Sequence, residues 1–293
     1  MNGTTVDSDM SKVKPSSQQT VLITGSTDGL GKLTALGIAQ RGATVLFHGR
    51  DQQRLEAAKQ EIMEATGNEK LQTYCADFSS LDAVRELSKK INAEQGRLDV
   101  LINNAGIGAG TRGSQRETSK DGYELRFAVN YLAHFLLTNQ LLPLLRRSAP
   151  SRIVNVSSVG QQPIDFENVM LEGVYDGLRA YRQSKIALVM FTFDLAEELK
   201  ESGITVNTVH PASLMNTKMV LETDYFGGTM STVQDGAHAV EYLATSPELE
   251  GITGEYFDGQ QRARANPQAY DKQARRRLRI LTEQLVNLNE SGD

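Results

Sequence analysis

Short apolar runs alternate with longer amphipathic stretches through the first two thirds of the chain, and this rhythm limits the fold more than any single residue does. Strands buried on both faces read as unbroken apolar runs, and parallel strands need a crossover between them. The alternation therefore predicts βαβ units around a parallel sheet. Thr20 to Thr24 is followed by a glycine-rich turn and a helical stretch to about Gln40; Ala43 to Phe47 is followed by one from about Gln52 to Ala65. Leu71 to Cys75, Leu98 to Ile102, Ile153 to Val156 and Ile204 to Val209 supply four more strands. Helical patterns near Leu81 to Ala93, Gly122 to Leu145 and Leu178 to Ser202 lie between them. A seventh short strand fits Gly254 to Phe257. The expectation is a single α/β domain over residues 20–265, a doubly wound parallel sheet of six or seven strands with helices on both faces.

Composition removes several function classes. A chain of 293 residues with 39% hydrophobic content can bury a sizeable core. Its net charge of −5 argues against a nucleic-acid partner, which would need a basic face for the phosphates. The single cysteine, Cys75, has no internal disulfide partner and reads as a small buried hydrophobe. Four scattered histidines carry no metal-ligand spacing, so no metal is expected. No apolar run reaches the length of a membrane span, and residues 1–19 are polar and Ser-rich, read as a disordered leader of a soluble cytoplasmic protein.

Two polar stretches, Gly106 to Asp121 and Val159 to Leu178, break the rhythm as long loops of the kind that form binding sites or lids. Residues 266–293 carry Leu278, Leu281, Leu285 and Leu288 at helical spacing among Arg275, Arg276, Arg277 and Arg279. This predicts an amphipathic helix packed on the body or on a second subunit, with a membrane-surface helix as the alternative.

Glycines at Gly25, Gly29 and Gly31, between the first strand and first helix, leave backbone N–H groups and a helix N-terminus open to a phosphate. The spacing Thr24-Gly25-Ser26-Thr27-Asp28-Gly29-Leu30-Gly31 is TGxxxGxG rather than GxGxxG, and here the chain resembles the short-chain dehydrogenase/reductase family. Asn103-Asn104-Ala105-Gly106 is similar to that family's NNAG element, and Asp77, followed by Phe78, to its adenine-contacting aspartate. The resemblance runs from about Thr20 to Met219. It implies a Rossmann-type fold and a dinucleotide held by residues 25–31, Asp77, Phe78, Asn103, Ala105 and Gly106.

The end of the second strand chooses the cofactor. An acid there would bind the ribose 2′-hydroxyl, whereas a 2′-phosphate needs a cation. In Phe47-His48-Gly49-Arg50, Gly49 stands where the acid would be and Arg50 follows, so NADP(H) is expected over NAD(H). Asp51 reads as the N-cap of the next helix, and Arg50 as a solvated arginine is the alternative.

Hydride transfer to a carbonyl requires a proton donor. Tyr181 and Lys185 lie four residues apart on a predicted helix, on one face, so the ammonium can lower the phenol's pKa. The pair matches the family's YxxxK element, which implies Tyr181 as acid/base and Lys185 as a second ligand of the nicotinamide ribose. Ser158, ending the strand Ile153 to Val156, resembles the serine that polarises the substrate carbonyl, with Ser157 as the alternative. Asn130 matches the family's active-site asparagine, which holds a water linking Lys185 to solvent. After the sixth strand, Pro211 and Ala212 replace the usual Pro-Gly. Asn216 occupies the usual threonine position of the carboxamide contact, with Thr217 one residue later.

The long interval between Ser158 and Tyr181 is similar to the retinol-dehydrogenase-like branch, which implies a bulky apolar alcohol, aldehyde or ketone. Residues of about 212–234, with Met215, Met219, Leu221, Tyr225, Phe226 and Met230, read as the substrate lid, with simple packing on the core as the alternative for those methionines and aromatics. The family resemblance also implies a homo-oligomer, a dimer or tetramer. The competing readings are a dinucleotide-sensing or scaffold protein without turnover, and an epimerase or dehydratase, which the glycine spacing disfavours.

Overall fold

The computed structural model describes residues 14–288. Its centre is one sheet in the order β3-β2-β1-β4-β5-β6-β7-β8. The strands are β1 (Thr20–Ile23), β2 (Thr44–Gly49), β3 (Leu71–Cys75), β4 (Val100–Asn103), β5 (Ser151–Val156), β6 (Ile204–His210), β7 (Tyr256–Asp258) and β8 (Gln261–Ala263). The first seven pair in parallel, and β8 turns back antiparallel on β7. The count is thus eight rather than six or seven. The eighth is Gln261–Ala263, three residues with no apolar run to announce them.

Side chains alternate across the sheet with the period of two that strands impose. Val21 and Ile23 join one core with Val45, Phe47, Val100, Ile102, Val154 and Val209, while Leu22 joins the opposite core with Leu46, Leu101, Ile153 and Val206. Helices α1 (Gly29–Gln40), α2 (Gln52–Thr66) and α8 (Val233–Thr245) cover the first face, and a short α7 (Lys218–Leu221) lies between β6 and α8. Helices α3 (Leu81–Glu94), α5 (Ala133–Arg147) and α6 (Gly177–Glu198) cover the second. Asp51 caps α2 by accepting the Arg54 N–H at 3.0 Å, as read from the sequence.

Several expectations need correction. Cys75 is exposed rather than buried, because β3 is the edge strand and buries only Leu71 and Tyr74 of its residues. The helix expected from Gly122 to Leu145 is split. A short turn α4 (Leu125–Phe127) leads into a π-helical segment, Ala128–Leu132, before α5 begins. Residues 14–19, read as part of a disordered leader, are tied to the body: Ser16–Gln18 form a 3₁₀ turn, and Lys14 Nζ pairs with Asp99 at 3.1 Å. Residues 1–13 lie outside the described residues.

The C-terminal stretch forms α9 (Lys272–Leu285), capped by Asp271 and laid on the body rather than standing free. Leu278 is buried and Tyr131 and Thr282 join hydroxyls at 2.8 Å. Arg275, itself buried, pairs with Asp194 at 3.0 Å and Glu197 at 2.9 Å on α6, and Arg279 with Glu198 at 2.7 Å.

Candidate active site

In a doubly wound sheet, ligands bind outside the carboxyl ends of the strands where the strand order reverses. Here that point lies between β1 and β4. The β1–α1 turn, Asn104 to Gly106 after β4, Ser157 and Ser158 after β5, and Pro211 and Ala212 after β6 all converge there.

The glycine turn is held from behind. Gly25 has φ +66°, and a Cβ on it would come within 2.8 Å of the Ala105 backbone. A Cβ at Gly31 would collide with Gly25 O and Asn104 Nδ2. Asn104 Nδ2 donates to Thr24 O at 2.8 Å and Gly25 O at 3.0 Å, while Thr24 Oγ1 accepts the Asn104 and Ala105 N–H groups at 2.8 and 2.9 Å. A cradle this close to its own backbone admits no side chain. The first-turn N–H groups of α1 lack intrahelical acceptors, so the turn fits a dinucleotide phosphate.

The side chains within the turn divide between cradle and scaffold. Ser26 is buried and exchanges hydrogen bonds with the His48 backbone. Leu30 joins the core, and Thr27 Cγ2 packs where a side chain at Gly49 would stand, 2.7 Å from such a Cβ. The Asp28 carboxylate caps α1 through the Gly29 N–H at 2.8 Å. It also pairs with Lys218 at 2.9 Å and Arg54 at 3.0 Å, and Lys218 is the main cause of its lowered pKa. Asp28 is therefore a cap and ion-pair hub rather than an open phosphate contact. Arg50 stands exposed at the end of β2.

Two expected cofactor residues turn inward. Asn103, fully buried, donates to Thr138 Oγ1 at 2.9 Å and Asn155 Oδ1 at 2.8 Å, tying β4 to α5 and β5. The Phe78 ring lies in the core. Asp77 accepts the Ser79 N–H and lies 3.5 Å from Lys120.

The proposed proton-transfer groups meet on the other side of the crevice. Ser158 is half-buried and faces the half-buried Tyr181, whereas the buried Ser157 hydroxyl donates to Lys185 O at 3.0 Å. Burial raises the Tyr181 pKa, and the Ser158 hydroxyl opposes that rise. Lys185 lies 5.7 Å from the Tyr181 ring centre and donates to Val156 O at 3.0 Å; burial brings its pKa down to about 8. The lowering of Tyr181 by Lys185 expected from the spacing is therefore not what dominates here.

Asn130 sits mid-way along the π-helical segment, fully buried. Its carboxamide brackets Ile107, accepting the N–H at 2.8 Å and donating to the carbonyl at 3.1 Å, and donates to Ser184 Oγ at 2.9 Å. The amide thus ties Ile107, after β4, to α6. A Cβ on Gly106 would lie 3.2 Å from Asn130 Oδ1 and 3.7 Å from Lys185 Nζ.

A cleft of about 430 Å³ opens over Ser158 and Tyr181, walled by Leu178, Val159, Pro211, Ala212, Met215, Thr217, Met219, Val220, Phe226 and Met230. The lid is fastened at several points. Thr223 Oγ1 donates to Gly110 O at 2.7 Å, Asp224 Oδ1 accepts the Arg112 N–H at 2.7 Å, and Tyr225 OH reaches Asp176 at 3.1 Å. Within it, Asn216 Oδ1 accepts the Val233 N–H at 3.1 Å and points to α8, leaving Thr217 to line the cleft. The one-residue shift puts threonine, not Asn216, at the site.

Sequence reasoning missed the groups that hold the walls. Arg126 and Glu124 form a buried pair at 3.7 Å; Arg126 donates to Gly108 O and Ala109 O, and Tyr175 OH bridges both side chains. Gln161 Nε2 and Tyr256 OH both donate to Ser158 O. Neither set follows a local motif. Among the described residues, no three His, Cys, Asp or Glu side chains converge as a metal site, and no helix is long and apolar enough to cross a membrane.

Known proteins carry the same pattern. The short chain dehydrogenase family model matches residues 19–225. Human retinol dehydrogenase 13 is 39% identical over 286 residues, covering 92% of this chain and 85% of its own length. Human retinol dehydrogenase 14 is 37% identical over 296 residues, covering 92% and 87%. Among solved structures, a protein of Mycobacterium paratuberculosis has a TM-score of 0.75 at 30% identity, covering 92% of this chain and 94% of its own. A short chain dehydrogenase of Escherichia coli CFT073 complexed with NADPH has a TM-score of 0.69 at 28% identity, covering 83% and 97%. With a dinucleotide cradle, a facing Ser158 and Tyr181, and relatives matched along nearly the whole chain, this protein belongs to the short-chain dehydrogenase family, among its retinol-dehydrogenase-like members.

Proposed function

We propose that the protein is an NADP(H)-dependent oxidoreductase that interconverts an alcohol and a carbonyl on a bulky apolar substrate, with Tyr181 as the general acid/base. The observation that carries this reading is that Ser158 and Tyr181 line an apolar cleft, with the buried Lys185 ammonium 5.7 Å from the Tyr181 ring centre. The bound nicotinamide would supply or accept the hydride. Residues 25–31 would hold its phosphates, Arg50 the 2′-phosphate, Lys185 the ribose and Thr217 the carboxamide end. The Ser158 hydroxyl donates to the carbonyl oxygen and draws charge toward it, and Tyr181 delivers the proton as alkoxide character develops. A cationic Lys185 favours the phenolate left behind.

Preference for NADP(H) is supported by Arg50 at the end of β2 and by Thr27, whose methyl closes the space an acid at position 49 would need. The NADPH complex of the similar Escherichia coli protein agrees with it. An apolar substrate is supported by the methionines and Phe226 of the lid. Val159, exposed on the loop after β5, lines the same cleft.

The test follows NADPH and NADH oxidation across bulky aldehydes, ketones and quinones, retinaldehyde included, with Tyr181→Phe in parallel. Turnover that prefers NADPH, and falls by at least ~100-fold in the variant while NADPH still binds, is expected. Tight binding without turnover across the panel would favour a dinucleotide-sensing protein instead.

A further inference from the structure

Behind the glycine turn lies a buried stack that none of these roles uses. His48 and Phe78 stack with ring centres 4.2 Å apart, and His134 meets Phe78 edge-on at 5.4 Å. His48 is 2% exposed and His134 1%. Hydrogen bonding assigns the proton on each imidazole. The Gly25 N–H donates to His48 Nδ1 at 3.2 Å, so that nitrogen is bare and Nε2 carries the proton given to Ala76 O at 3.1 Å.

His134 is the opposite case. Its Nδ1 faces Asn130 O at 3.1 Å, which can only accept, so Nδ1 holds the proton and Nε2 is bare. Thr24 Oγ1 lies 3.2 Å from that Nε2. Its two lone pairs already accept the Asn104 and Ala105 N–H groups, which leaves its own proton to donate. The rival acceptor, Ile102 O, is farther from the hydroxyl at 3.3 Å and already shares its lone pairs with the Thr24 N–H at 3.0 Å, which leaves Nε2 the nearer acceptor. From His134 the bonds continue: Asn130 Nδ2 donates to Ser184 Oγ at 2.9 Å, and Ser184 Oγ to Tyr181 O at 2.7 Å. Through the backbone and then the side chain of Asn130, these bonds link the glycine turn to the backbone of Tyr181.

We propose that His134 is a positioning residue, a neutral Nδ1-protonated imidazole that ties Thr24 of the dinucleotide cradle to the carbonyl of Asn130 and so holds the cradle and the acid/base helix in one register. His48 fastens Gly25 from the other side of Phe78. The inference rests on the dinucleotide-dependent reading above and extends it to a residue that touches neither ligand. Burial keeps both rings neutral, with His48 brought down to about 4 and His134 to about 3. Neither link is broken at neutral pH.

The test joins a spectroscopic and a functional measurement on the full chain. Nitrogen-15 spectra of histidine-labelled protein, assigned with His48→Gln and His134→Gln, should show opposite neutral tautomers, Nδ1–H for His134 and Nε2–H for His48. An Nε2–H or charged His134 at pH 7 would overturn the proposal whatever the activity.

In folded His134→Leu, NADPH and NADH should both bind about tenfold more weakly, as expected for one lost buried hydrogen bond with its partners stranded, and kcat should fall as well. His134→Gln should recover part of both. A folded Leu variant with parental Kd and kcat, and only a lower Tm, would mean a purely structural ring and defeat the idea. If His134→Leu does not fold, the Gln variant carries the same readout: parental tautomers elsewhere with a changed Kd support it, and an unchanged Kd and kcat refute it. A parent protein that binds neither dinucleotide defeats the functional reading, while the tautomer result still judges the hydrogen-bond run.

Discussion

Lys185 Nζ donates to the carbonyl oxygen of Val156 at 3.0 Å, which anchors the ammonium to the end of the strand that carries Ser158. The same bond draws it away from solvent, and burial lowers its pKa from 10.5 to about 8. Below pH 8 the folded protein carries the charge; above it the charge is lost while an unfolded chain would still hold it. An anionic dinucleotide favours the charged form. NADPH affinity should therefore fall as pH rises from 7 to 10, approaching tenfold per unit above pH 8. Fluorescence titration checks this, and Lys185→Met should abolish the slope.

Arg50→Ala should weaken NADPH by about tenfold to a hundredfold while leaving NADH nearly unchanged, since only the 2′-phosphate makes charge-assisted bonds to a guanidinium. Equilibrium titration of both cofactors reads this directly, and equal losses would remove Arg50 from the 2′-phosphate site.

Asn216 and Thr217 should separate in the same assay. Asn216 is bonded to the start of α8 and Thr217 lines the cleft. Thr217→Val should raise the KM for the cofactor several-fold by removing one hydroxyl, about 1 kcal/mol. Asn216→Ala should leave KM near parental and act, if at all, on the thermal stability of the lid. The reverse order of effects would contradict the one-residue shift.

The buried Arg126–Glu124 pair predicts a stability effect at a site no motif marks. Arg126→Met leaves the Glu124 carboxylate, itself only a few per cent exposed, without its cation, and should cost about 3–5 kcal/mol in chemical denaturation. Because Arg126 also holds Gly108 O and Ala109 O at the cleft wall, the KM for a bulky substrate should rise more than the KM for cofactor.

The legible parts of this chain were those that depend on backbone spacing. Strand ends and glycines place the cradle, so Thr24 to Gly31 could be located from sequence, and Tyr181 and Lys185 share a face because helical periodicity requires it. What was missed depends on where a side chain points once the chain is folded. Asn103 and Asn104 are neighbours at a strand end, and the alternation of faces sends one into the core and the other onto the glycine turn. A lone free cysteine reads as buried, but sheet order, which no local pattern reveals, places its strand at an edge. The π-helical segment at Asn130 and the hairpin strand β8 carry no periodic signal of their own. Asn216 differs again: its side chain is bonded to Val233 at the start of α8, and Thr217, one residue on, lines the cleft.

The placement of α9 has a consequence for how the protein is made. The helix that carries Tyr181 is synthesised long before the segment that covers its outer face, so a nascent chain presents Phe135, Phe191 and the Asp194, Glu197 and Glu198 cluster uncovered until Arg275, Leu278 and Arg279 leave the ribosome. A premature stop before residue 272 would leave the sheet and the whole crevice encoded, yet yield a chain with an unpaired acidic cluster beside bare aromatic rings. Such a product is a substrate for chaperones and proteases rather than a smaller enzyme.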